Sequence, residues 1–313
     1  RRLAPRQGCD FASNDYLGFA ASPLMAEAAR EALARGVPLG SGGSRLLRGN
    51  HPEHEALEAE AAAFFGSEAA LYMGGGFQAN QAIFSTLPAV GDLILHDALI
   101  HASVHEGLRI GRADARAFAH NDLADAQRII DEWRAQNADG QIWIAVESVY
   151  SMEGDIAPLS QFAELAAEVG AVLVVDEAHA TGVFGPMGRG LAHDLEQAHG
   201  AEVLTLHTCG KGLGVSGGLI CGKRVFIETL INRARPFIFA TAPAPFQAAM
   251  VRAALQILQG DATLVAEAQR RMHHAHDALR RTGLTALSQD SQIIPIVLGD
   301  DARTMEVATA LQA

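Results

Sequence analysis

Lys211 is the only charged residue in "LHTCGKGLGVSGG", residues 206–218, where it is surrounded by five glycines. Burial in such a setting lowers a lysine's pKa toward the free amine that attacks a carbonyl carbon. The bare backbone of the glycines lets a flat ligand lie close. Upstream, the apolar run of "VLVVDEAH" ends on Asp176, and His179 follows three residues later. Pyridoxal phosphate needs this set of groups. Its aldehyde condenses with a lysine, its pyridinium nitrogen pairs with a carboxylate, and its phosphate takes backbone N–H groups at a helix start. "GGGF", residues 74–77, stands ahead of a helical pattern and supplies such a start. Lys211 alone reads equally well as a solvated loop residue, and it is the combination that points to the cofactor.

Three other motifs compete and fail on context. "GLGVSG" (Gly212, Gly214, Gly217) matches the spacing of a dinucleotide-binding loop, but a strand-like run follows where that loop requires a helix. "VVDEAH" (Val174–His179) spells a helicase box, yet no phosphate-cradling G-x-x-x-x-G-K-[ST] string precedes it. His101 and His105 stand four apart, and His51 and His54 three apart, without the HExxH pattern or thiolate pair of a zinc site. No metal is expected.

These side chains need a scaffold that brings distant segments together. Ser22, Pro23 and Gly36 bracket a helix in "SPLMAEAAREALARG", and "PEHEALEAEAAAFFG" reads as another that stops at Gly66. Short apolar runs then alternate with helical ones: "ALYM", "DLILHD", "RAFA", "QIWIAVES" and "AVLVVDEAH", then "EVLTLHT" and "GGLICG". That alternation predicts an α/β fold with a mostly parallel sheet between helices. In such sheets ligands bind beyond the carboxyl ends of the strands. Glu147, Ser151, Asp176, His179, Thr208 and Lys211 all fall there. After residue 223 the pattern turns helical, and "QIIPIVLGD" predicts one more strand before a last helix. The expected organisation is an N-terminal segment over 1–36, a large cofactor-binding domain over 37–250, and the start of a smaller C-terminal α/β domain over 251–313.

The 313 residues are 49% apolar and 19% charged, with a net charge of −12 and no basic run. That balance disfavours nucleic acid and acidic membrane surfaces as partners. No apolar run is long enough to span a bilayer and no signal-peptide pattern opens the chain. Cys9, Cys209 and Cys221 form neither a metal-ligand spacing nor a disulfide framework, so a reducing, cytoplasmic setting is expected. With no initiator Met at residue 1, the chain is expected to be part of a longer product.

In order along the chain, "FASNDYLGFA", "GSGGSRLLRG", "GGGFQANQ", "HDALIHASVHEG", "FAHNDL", "ESVYSMEGDIAPL", "VDEAHATGVFGPMGRG", "HTCGKGLGVSGG" and "FIFATAPAP" resemble the α-oxoamine synthases. These are fold type I pyridoxal-phosphate enzymes that condense an amino acid with an acyl-CoA and release carbon dioxide. The resemblance runs from Asp10 to about Pro245 and more loosely beyond. It implies a homodimer with shared active sites. It makes Lys211 the Schiff-base lysine and proton shuttle, Asp176 the pyridinium partner, and His179 a donor to the cofactor's phenolic oxygen, with Ser151 beside it. His101 would stack on the ring. Gly76 and Phe77 would offer N–H groups to the phosphate, with the Thr208 hydroxyl, and with Thr241 reaching in from the other subunit. Asn14 would orient the amino-acid carboxylate. Within the family the likeness falls on the branch that joins L-alanine to a pimeloyl thioester, of CoA or a carrier protein, in biotin biosynthesis. Siblings taking glycine or serine stay open, as does a non-catalytic protein of the same fold. The family's carboxylate-gripping arginine lies further along the C-terminal domain than residue 313 reaches, so that domain is expected to be incomplete here.

Overall fold

The computed structural model describes residues 9–136 and 139–311. Ser22 caps the first helix, α1 (Pro23–Ala34), by accepting the Met25 N–H, with Pro23 in the first turn and Gly36 in the left-handed region beyond its end. Helix α2 (Pro52–Phe65) is capped reciprocally by His51 and His54 and ends on a left-handed Gly66. The second histidine also reaches the Pro243 carbonyl at 2.7 Å. Two of the chain's paired histidines therefore serve backbone.

Among the described residues seven strands follow: β1 (Ala69–Met73), β2 (Leu93–Asp97), β3 (Asp114–Phe118), β4 (Ile142–Glu147), β5 (Val172–Asp176), β6 (Glu202–Thr208) and β7 (Gly218–Gly222). They form one sheet in the order β1-β7-β6-β5-β4-β2-β3. Neighbours are parallel except at β7, which runs antiparallel to both β6 and β1. Strands β4 and β5 are buried along their whole length, as continuous apolar runs between two helical layers must be. Of the intervening helices, α3 (Gly76–Thr86), α4 (Ala102–Ile110), α8 (Arg224–Arg233) and α9 (Arg235–Ile238) cover one face. On the other, α5 (Leu123–Arg134), α6 (Leu159–Val169) and the short α7 (Leu195–His199) build a core around Phe162 and Ile144. Phe162 is fully buried, which stabilises the fold by roughly 2–3 kcal/mol for that side chain alone.

At the C-terminal side, α10 (Pro245–Gly260) packs on α1 and α2, so the N-terminal helix shares its core with a segment two hundred residues on. Helices α11 (Thr263–Arg281) and α12 (Asp301–Ala310) follow. The strand expected in "QIIPIVLGD" does not form: residues 292–300 are irregular, and Ile296 and Val297 are exposed. A strand needs a hydrogen-bonding neighbour, and among the described residues no other strand lies beside this run. Here apolar composition misled.

Candidate active site

At the carboxyl end of the sheet, a cavity of about 160 Å³ is lined by Gly76, Phe77, Asn80, His101, Glu147, Asp176, His179, Thr208 and Lys211, among others. Its walls come from the ends of β4, β5 and β6 and the starts of α3 and α4. A groove between α1 and α10 is larger, about 540 Å³, but it offers no lysine or histidine. Size does not locate the chemistry here; the side chains do.

Lys211 follows β6, and its Nζ lies 2.7 Å from His179 Nε2. Burial lowers the lysine's pKa against the pull of the Asp176 and Glu147 carboxylates. Burial first, and then the lysine's charge, pushes His179 down to about 3, so its ring is neutral at any working pH. Asp176 ends β5 and is held on both oxygens. Oδ2 accepts from Asn80 Nδ2 at 2.8 Å and Oδ1 from the Ala178 N–H at 3.0 Å. A carboxylate fixed in this way keeps one orientation toward the cavity.

Helix α3 begins at Gly76 with no side chain capping its first N–H groups, which leaves an anion site open beside the cavity. A Cβ on Gly76 would lie 2.6 Å from Thr208 Oγ1, so the close approach of this helix start to β6 requires glycine. Gly217 is bound as tightly, because its Cβ would strike the Tyr72 ring at 2.2 Å. An amine of lowered pKa, an anchored carboxylate and an uncapped helix start match the aldehyde, ring nitrogen and phosphate of pyridoxal phosphate. The residues fit the group.

Five other residues bear on the site. Glu147 pairs in register with Asp176 on the neighbouring strand, is 2% exposed, and leaves Oε1 with no partner. Burial and then the Asp176 charge push its pKa up to about 8. Its place at a strand end was visible in the sequence, but its proton was not. Asn80 was visible only as part of "GGGFQANQ". Ser103 and Tyr16 were likewise visible only inside "HDALIHASVHEG" and "FASNDYLGFA", and Gln292 gave no signal, because it meets the site through a contact 113 positions away. Ser103 Oγ holds His101 Nδ1 at 2.7 Å and accepts from Asn80 at 2.9 Å. His101 itself is exposed at the cavity edge.

Three residues named from the sequence do not line the cavity. Ser151 lies on the turn after β4, where its N–H hydrogen-bonds Glu147. Asn14 lies on the exposed N-terminal loop, 3.2 Å from Tyr16 Oη. Thr241 is exposed between α9 and α10.

A mostly parallel sheet with a lysine, an anchored aspartate and an open helix start at its carboxyl end defines a fold type I pyridoxal-phosphate protein. The family model for aminotransferase class I and II matches residues 6–313. An 8-amino-7-oxononanoate synthase from Anaeromyxobacter dehalogenans is 40% identical over 306 residues, covering 96% of this chain and 74% of that protein. Among solved structures, a serine palmitoyltransferase from Sphingomonas wittichii superposes with a TM-score of 0.85 at 30% identity, covering 93% of this chain and 72% of the other. A serine palmitoyltransferase variant from S. paucimobilis, solved with PLP and myriocin bound, gives a TM-score of 0.82 at 28% identity over 93% of this chain and 75% of its own. The chain belongs to the class I and II aminotransferase family and, within it, to the α-oxoamine synthases.

Proposed function

We propose that this cavity joins L-alanine to a pimeloyl thioester, giving 8-amino-7-oxononanoate, the free thiol carrier and carbon dioxide, a step of biotin biosynthesis. The chain is a pyridoxal-phosphate-dependent acyltransferase, and the curated relatives at 40% and 38% identity carry that product in their names. The observation that carries the residue assignment is Lys211 Nζ at 2.7 Å from a neutral His179, in a cavity that also holds Asp176 and the open start of α3. Pyridoxal phosphate, when bound, supplies the sink for the electron pair left at the alanine Cα.

This chain's residues would do the rest. Lys211 holds the cofactor and, displaced by alanine, is the amine that takes the Cα proton. Asp176, fixed by Asn80, keeps a negative charge against the pyridinium nitrogen. His179 donates to the phenolic oxygen, beside Ser151, and His101 covers one ring face. The N–H groups of Gly76 and Phe77, with Thr208, hold the phosphate, and Asn14 orients the alanine carboxylate. Borohydride reduction of the cofactor-loaded protein should fix one pyridoxyl group, and a tryptic map should find it on Lys211. Label on a different lysine would end this assignment.

We further propose a cytoplasmic homodimer in which Thr241 completes the partner's phosphate site. The Ala242 N–H donates to the Gly43 carbonyl at 2.9 Å, and Ser41 Oγ to the Ala242 carbonyl at 2.6 Å. These contacts join the segment around Ser41 to the one around Thr241, and Leu39, Leu47 and Phe239 on those segments are exposed. Exposed apolar side chains on joined segments suit an interface between copies. The three unpaired cysteines accord with a reducing compartment. Among the described residues, no helix is long and apolar enough to cross a membrane.

A further inference from the structure

A second group of charged side chains lies between the end of β2 and the turn that follows β4, and none of them lines the cavity. His120, two residues beyond β3, sits between two carboxylates. Its Nδ1 lies 2.9 Å from Asp97 Oδ1 and its Nε2 lies 2.8 Å from Asp155 Oδ2. Asp97 ends β2 and is wholly buried, and its oxygens also accept the Leu99 and Asn121 N–H groups, each at 2.8 Å. Asn121 adopts the left-handed conformation, turning its N–H to Asp97 while its Nδ2 donates to Asp155 Oδ2 at 2.8 Å. The proposed reaction uses none of these groups.

This arrangement dictates a charge. An ionised carboxylate only accepts hydrogen bonds, and a neutral imidazole has a single N–H to give. With a carboxylate on each ring nitrogen, both nitrogens donate only when the ring is an imidazolium. Burial disfavours that charge, but the hydrogen bonds to Asp97 and Asp155 outweigh it and raise the ring's pKa. Asp97 and Asp155 are the charged groups that face the ring, and the wholly buried Tyr150 packs perpendicular to it with centroids 4.5 Å apart. Asp155 closes the turn over residues 150–155. The Tyr150 N–H donates to the Asp155 carbonyl at 3.0 Å, and the Gly154 N–H to the Tyr150 carbonyl at 2.9 Å. That turn carries Ser151, whose N–H meets the cavity-lining Glu147, and Ser291 Oγ donates to the Gly154 carbonyl at 2.6 Å. A charge on His120 therefore fastens the turn to the end of β2.

We propose that His120 is a positioning residue, an imidazolium that ties the 150–155 turn to the end of β2 and so sets the place of Ser151. The consequence at the cofactor rests on the reading of Ser151 as the neighbour of its phenolic oxygen, while the tie itself needs no cofactor. The tie is complete below the ordinary imidazole value of 6.5 and is lost as pH rises through the raised one, since deprotonation turns a lone pair on a carboxylate. An uncharged histidine would hold the turn equally across that range.

The test uses the cofactor-free protein and two readouts. In an NMR titration, the His120 ring, assigned through the backbone, should show a midpoint above the ordinary value, and Asp155→Asn should lower that midpoint by about one unit. A midpoint at or below the ordinary value, or one that Asp155→Asn leaves in place, overturns the proposal. The second readout is hydrogen exchange at the Gly154 N–H, corrected for the intrinsic pH dependence of exchange. Near pH 6 its protection should fall about tenfold in His120→Gln, the scale of one lost charge-assisted hydrogen bond. From there to pH 9 it should fall in the parent and stay level in the variant. Protection that follows the same pH course in both proteins, as a merely structural role would give, also overturns the tie. Should His120→Gln fail to fold, the Asp155→Asn titration and the parent's own exchange course decide. Release of pyridoxal phosphate from the loaded proteins then separates the two readings. Exchange as expected with release unchanged in His120→Gln would end the role of Ser151 at the cofactor and leave the tie in place.

Discussion

Replacing Glu147 by glutamine should change how stability depends on pH more than it changes stability itself. Glu147 is 2% exposed, sits in register beside Asp176, and is pushed up to about 8 by burial and by that neighbour's charge. An acid whose folded pKa is raised binds its proton more tightly folded than unfolded. That stabilisation is complete below the ordinary value of 4.5 and is lost as pH rises through about 8. At 1.36 kcal/mol per unit, the shift sets a ceiling of about 5 kcal/mol. Lys211 and Asp176 share the pocket and adjust with it, and the Ser151 and His101 N–H groups favour the anion, so about 2 kcal/mol is the working figure. Glutamine cannot ionise, so Glu147→Gln should gain on the parent by that amount between pH 5 and pH 9. Thermal scans of both cofactor-free proteins should show the difference in Tm growing by about 4 °C across that range, at roughly 2 °C per kcal/mol for a chain of this size. Curves that stay parallel would mean Glu147 does not carry the proton, and the adjacent carboxylates would need another explanation.

Asp176→Asn should still bind the cofactor while exchange of the alanine Cα proton with water falls by about 10²–10³-fold, because an amide cannot hold the pyridinium proton. Near-normal exchange by NMR would remove Asp176 from that role. If Thr241 serves the neighbouring phosphate, Lys211→Ala and Thr241→Trp homodimers should each be nearly inactive. Co-refolded mixtures should regain about a quarter of the parent activity, since in a mixed dimer one site collects both lesions and the other neither. No recovery from mixtures shown to exchange subunits would place the whole site within one chain.

Much of the scaffold was legible because its signals are local. Ser22 with Pro23, and Gly66 after an apolar helix, mark ends whose hydrogen bonds close within a few residues. The apolar runs of β4 and β5 could be read as parallel strands because helices must cover both of their faces. The reversal of β7 was not legible. A five-residue strand that follows a nine-residue glycine-rich loop has the same composition in either direction, and only its two neighbours decide. "QIIPIVLGD" failed for a related reason: apolar content says that a segment prefers burial, not that a pairing edge is there to receive it.

The site divides along the same line. Lys211, Asp176, His179 and Gly76 were legible because each must be a particular residue type at the end of a strand or the start of a helix. Nothing local in Tyr16 says that its hydroxyl meets an imidazole 163 positions away. Asn80 gave no more warning that it would hold Asp176 across 96 positions. Those two contacts nonetheless govern what the named residues can do. Without Asn80 the Asp176 carboxylate could rotate away from its place in the cavity, and without Tyr16 the imidazole beside Lys211 has no fixed tautomer. The residue types that perform a step are dictated by its chemistry and leave a mark in the sequence. The residues that aim them are dictated by the packing of distant segments, so any side chain of suitable reach can serve, and only the folded chain identifies which one does.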